Sequence, residues 1–125
     1  IEIGPLAPLE ANLARVRLVD AGSLKRLVER RIQIRDLTVA GSMSGAEADL
    51  RGLEAEAEHR VRSFTAKVDA ARADVSRITQ AAGIGAAGLV ETAEAKLALA
   101  TAEADLRKAE LDLLLIQRRI AGLKK

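Results

Sequence analysis

The sequence predicts an all-α fold, either an antiparallel coiled-coil helical hairpin or an elongated three-helix bundle, on three observations. Charged residues make up 30% of the 125 residues and hydrophobic ones 49%, with one Phe and no Trp or Tyr. Ala, Leu, Glu, Arg and Lys dominate, a composition that zips helices together and cannot fill a thick globular core. Apolar residues also recur at alternating steps of four and three, the seam of a coiled coil. Two glycine-rich places, Gly41–Gly45 and Gly83–Gly88, interrupt those seams and favour turns, because Gly costs ~1 kcal/mol against Ala in a helix interior.

Residues 1–8 hold both prolines and read as the tail of something else, with Pro8 placed to open a helix. The first helix is expected over residues 8–37, where Leu9, Leu13 and Val16 and then Leu24, Leu27, Ile34 and Leu37 recur at helical spacing. Gly22 weakens that pattern and predicts a kink or a break. The chain then reverses within 38–45. Ser44 is a natural N-cap for the next helix, with Glu47 three residues on completing a capping box.

The second helix is expected over residues 46–82, with Leu53, Ala57, Phe64, Val68, Val75 and Ile78 among the positions of one narrow apolar stripe. Three glycines in residues 83–88 favour a second reversal; a kink through small residues is the alternative. The third helix, 89–121, has the cleanest pattern: Ala95, Leu99, Ala102, Leu106, Ala109, Leu113, Ile116 and Ile120. A second stripe, Leu97, Ala100, Ala104, Leu111 and Leu114, lies beside it and suggests contact with two neighbours, either within the chain or from another subunit. Gly122 fits the C′ position, with Arg118, Arg119 and Lys124 suited to the negative end of the dipole.

Chemistry has few footholds. A net charge of +2 with mixed signs gives no nucleic-acid footprint, and only one Phe is available for base stacking. Without Cys there is neither a disulfide framework nor a thiolate site. His59, the only His, has Glu56 as its one acidic neighbour a turn away, so it reads as part of a solvated charged face in which Glu54, Glu58 and Arg62 line up. Met43 alone is no soft-metal site. The GIGAAG run lacks the Lys-Ser/Thr of a phosphate loop. No catalytic, cofactor-binding or metal residues are expected, nor a segment that inserts directly into a membrane.

One stretch is more specific. In periplasmic adaptors (the membrane fusion proteins of tripartite efflux pumps and type I secretion systems) the tip of a helical hairpin carries Arg-x3-Leu-x6-Ser or Thr. The stretch LTVAGSMSGAEAD resembles that tip: Leu37 and Ser44 fall on the Leu and Ser slots, and Gly41, Glu47 and Asp49 on matching positions. Gln33 occupies the Arg slot, with Arg31 and Arg35 two residues to either side. A weaker echo, Arg77-x3-Ala81-x6-Gly88, keeps the Arg and loses the Leu and Ser. The Ala-Glu-rich residues after it are similar to a descending hairpin arm.

The resemblance implies a periplasmic piece of a larger adaptor that is anchored to the inner membrane, here a single helical domain without its lipoyl-like and barrel domains. It implies no cofactor and no reaction. The implied partners are an outer-membrane channel at the tip, neighbouring adaptor copies along the helix flanks, and an inner-membrane transporter in the full-length protein. Leu37 would pack between channel helices; Gln33 or Arg35, with Ser44, would hydrogen-bond the channel, and Met43 would lie in the exposed contact. A structural coiled-coil scaffold with no transport role is the alternative. An adaptor whose helices leave and rejoin one lipoyl-like domain needs an even number of passes, whereas two reversals give three. Gly22 as a further reversal, one glycine cluster as a mere kink, or a return pass elsewhere would each restore the parity.

Overall fold

A computed structural model describes residues 6–85 and 88–123. Of residues 1–8, read as a tail, Leu6–Pro8 already belong to the first helix, while residues 1–5, Lys124 at the last helix end and the middle of the GIGAAG run at 86–87 lie outside the described residues.

Three helices follow one another: α1 (Leu6–Val39), α2 (Gly45–Gly83) and α3 (Leu89–Leu123). Their ends lie within two residues of the expected ones. The seams set their length and the glycines their ends: Gly41 and Gly85 adopt φ of +80° and +79°, a left-handed conformation that costs a residue with a Cβ about 1–2 kcal/mol.

Gly22 does not break α1, which runs through it without interruption. The helix is held directly after the glycine's exposed turn by side chains buried against α2, Ser23 at 3% and Leu27 at 6% exposure, and packing of this kind offsets a ~1 kcal/mol propensity loss. A Cβ added at Gly22 would meet nothing within 4 Å. Gly22→Ala is therefore expected to stabilise the chain by about 1 kcal/mol and raise its thermal midpoint by roughly 3–5 °C, measured by circular dichroism. An unchanged or lower midpoint would mean that the turn is not helical. Gly122 also departs from expectation: it is not a left-handed C′ residue but lies inside α3, which continues to Leu123.

The helices lie side by side. Along the α1–α2 contact, Ser23 meets His59 and Arg31 meets Glu56, so numbering rises in one helix as it falls in the other. Along α2–α3, Arg72 meets Glu103, while Leu53 shares a groove with Ile116; that pair is antiparallel too. Nowhere among the described residues do α1 and α3 approach each other within 8 Å between Cα atoms.

The reason is visible on α2. Ala55, beside Leu27 of α1, and Phe64, beside Ala109 of α3, are nine residues apart, two and a half turns, and so point to opposite sides. The two neighbours of α2 thus sit on opposite flanks, and the three helices form a layer one helix thick. There is no common interior. The buried apolar residues are Leu27, Ile34, Ala55, Ala57, Val68, Ala95, Ala109 and Ile120. Half of them are Ala, which lets helix backbones approach closely without a thick core. Among the described residues no helix is long and apolar enough to cross a membrane.

Candidate functional site at the Leu37–Ser44 bend

The bend between α1 and α2 is built by two local devices. The N–H of Gly41 donates to the Thr38 carbonyl at 3.1 Å and that of Ser42 to the Leu37 carbonyl at 2.9 Å. This is the Schellman closure of a helix, and it requires the positive φ of Gly41. On the far side Ser44 is extended (φ −72°, ψ 160°) and its Oγ accepts the Glu47 N–H at 3.1 Å, the N-cap read from the sequence. The Glu47 carboxylate lies 3.6 Å from Arg51, turned along the helix.

Gly41, Ser42 and Ser44 are exposed, and Leu37 and Met43 are half-buried. Gln33 and Leu37, one turn apart, share a side of α1, whereas Arg35, two residues from each, lies on another side. Gln33 is exposed and its Oε1 accepts from Arg30 at 2.6 Å. Of the two candidates for the polar slot beside Leu37, Gln33 is the one placed with it. Nothing in the bend converges on a cavity or a charge relay. What it offers is a short, fixed, solvent-facing loop at the end of two long helices.

The weaker candidate lies at the opposite end of the layer. Arg77 is half-buried and donates to Asp74 at 2.5 Å; its Nε is buried without a partner. Ala81 is half-buried and Gly88 exposed. Ile84 and Leu89 beside them are 84% and 90% exposed, so this end presents bare apolar side chains next to the α2 cap, where Gly85 N–H donates to the Ala82 carbonyl at 3.1 Å.

The sequence reading missed one polar cluster. His59 does not sit on a solvated face: it is half-buried, and its Nδ1 shares a hydrogen bond of 2.7 Å with the Ser23 hydroxyl. The same Ser23 Oγ accepts from Arg62 Nε at 2.7 Å, and the Ser23 carbonyl from Arg62 Nη2 at 3.4 Å. Ser23 is the buried polar residue of the α1–α2 contact, at 3% exposure. A Ser–His pair alone does not make a nucleophile site. Here the serine oxygen is already held by a guanidinium, and no acidic side chain hydrogen-bonds the imidazole among the described residues. The cluster joins two helices. Among the described residues no three His, Asp or Glu side chains gather as a metal site would need.

Comparison with known proteins brings no relative: no family model, no curated protein and no solved structure matches the chain.

Proposed function

We propose that the chain is the helical domain of a periplasmic adaptor, a non-catalytic link between an inner-membrane transporter and an outer-membrane channel in efflux or type I secretion. The observation that carries this reading is the Leu37–Ser44 bend. Its tip-like residues occupy a capped, exposed loop at the end of helices of 34 and 39 residues, with Leu37 only half-buried and so able to enter a groove between channel helices. Gln33, one turn before Leu37 on the same side of α1, and Ser44 across the bend are the polar groups of that contact, with Met43 beside Ser44. The three passes place Leu123 at the same end of the layer as the bend and Leu6 at the other.

The test uses the full-length protein with its transporter and channel. Leu37→Asp and Ser44→Asp are each expected to abolish export and co-purification with the channel while helicity stays unchanged. Asp is itself a good N-cap, so Ser44→Asp leaves α2 capped and isolates the docking role. Export that survives both substitutions would end the adaptor reading.

A second reading, a coiled-coil scaffold without a transport role, is favoured by one observation. The second stripe of α3, Leu97, Ala100, Ala104, Leu111 and Leu114, is exposed throughout, a helix-pairing seam without a partner in its own chain.

A further inference from the structure

We propose that α3 pairs antiparallel with α3 of a second copy of this chain, Ala100 of one against Ala104 of the other. The seam opposite α2 runs from Val90 to Leu114 in alternating steps of three and four, and every residue on it is exposed. Val90, Leu97 and Leu111 are 69%, 67% and 55% exposed. It spans about 36 Å at 1.5 Å per residue, and α3 is an edge of the layer, so a second layer meets it without obstruction.

The charges flanking the seam select both the partner and its direction. With Ala100 opposite Ala104, Lys96 faces Glu110 of the second copy and Glu94 faces Lys108 of the second copy. By symmetry that makes four attractive pairs. None of these four residues is in an ion pair within the chain among the described residues. Glu103, which meets its own copy near the two-fold axis, is the exception, and Arg72 already stands 3.6 Å from it. The seam layers agree with the flanks. Val90 opposes Leu114, Ala93 opposes Leu111, and the Arg107 stem lies along Leu97 with its charge free to reach water.

Other arrangements do worse. A parallel pair stacks Arg107 on Arg107 in the seam and keeps only the two Glu103–Lys108 attractions. Sliding the antiparallel pair by one heptad sets Glu103 against Glu110, or leaves two attractions over a shorter overlap. Like charges in flanking positions discriminate against such registers. The pairing is isologous, so it closes as a dimer and joins two layers edge to edge. It does not rest on either functional reading above, and loss of the tip phenotype would leave it untouched.

The experiment is sedimentation equilibrium of the 125-residue chain and its variants, with circular dichroism to verify that each is folded. The parent is expected to show a monomer–dimer equilibrium. Lys96→Glu turns two attractions into repulsions and is expected to weaken the dimer about tenfold, or about 1.4 kcal/mol. Adding Glu110→Lys to it is expected to restore the parent affinity, because the two positions face each other only in this register. Orientation is read independently by oxidative cross-linking, clean in a chain without Cys. Ala100→Cys chains mixed with Ala104→Cys chains are expected to cross-link to each other in preference to themselves. A strictly monomeric parent, a charge reversal that restores nothing, or each Cys variant cross-linking chiefly to itself would overturn the proposal.

Discussion

Ala57→Asp is expected to release α3 from α2 and to cost at least about 3 kcal/mol. Ala57 is 1% exposed, one turn from Leu53 and two from Phe64, on the side of α2 that faces α3. A carboxylate there is left without a partner, and an unpaired buried charge destabilises by about 3–5 kcal/mol. Small domains have only 5–15 kcal/mol in total. Because α1 and α3 do not touch among the described residues, the damage should stay on one side. The variant is expected to lose α3 helicity at a lower temperature than the α1–α2 pair, as a separate step in circular dichroism, and to be cut first within α3 by a protease. Ala73→Asp is the control: the same change on an exposed turn of α2 should cost under about 1 kcal/mol. Equal melting of the two variants would show that α3 is not packed through Ala57.

That asymmetry also explains which parts of the fold were legible in the sequence. The α2–α3 contact uses large apolar residues in heptads, Phe64 and Val68 against Ala109 and its neighbours, so a pattern of four and three finds it. The α1–α2 contact does not announce itself. On α2 it is made by Ala55, Ala66 and Ala70 together with His59 and Arg62, residues indistinguishable in sequence from a solvated Ala-Glu-Arg surface. The expected row Glu54–Glu58–Arg62 dissolves accordingly: Glu54 pairs with Arg51 at 3.1 Å, and Arg62 turns across to Ser23. The second α3 stripe was read correctly as apolar, yet the helix with two neighbours in the chain is α2. Flank-to-flank stacking is a tertiary choice that no single helix encodes. The bend is the opposite case. A Schellman glycine and a serine cap depend on four or five consecutive residues, so Gly41 and Ser44 are readable one by one. What grips them is not, since that is encoded in another molecule.

Ser23→Ala is expected to destabilise the chain by about 2 kcal/mol, most of it from one oxygen atom. That hydroxyl accepts from Arg62 Nε and is hydrogen-bonded to His59 Nδ1, both at 2.7 Å, and a hydrogen bond to a charged group contributes about 1.5–3 kcal/mol. The gain in helix propensity on reaching Ala returns at most about 0.5 kcal/mol. The Arg62 bond takes one lone pair of the hydroxyl and leaves its hydrogen and a second lone pair, so the contact with His59 Nδ1 is met by either tautomer of the ring. Nitrogen chemical shifts of His59 should change in Ser23→Ala, which removes the partner of Nδ1. A double-mutant cycle of Ser23→Ala with His59→Ala should give a coupling of about 1 kcal/mol or more; a coupling near zero would remove the network. Its use follows from the Ala surface around it. Two helices that meet through Ala55, Ala66 and Ala70 can slide by a turn at little cost in burial, whereas a three-membered polar contact is satisfied in one register only. Slippage of α1 on α2 would displace Leu37 relative to Ser44 by a helical turn and dismantle the bend. The polar cluster in mid-shaft thus adds a second hold on the register that the locally closed bend requires.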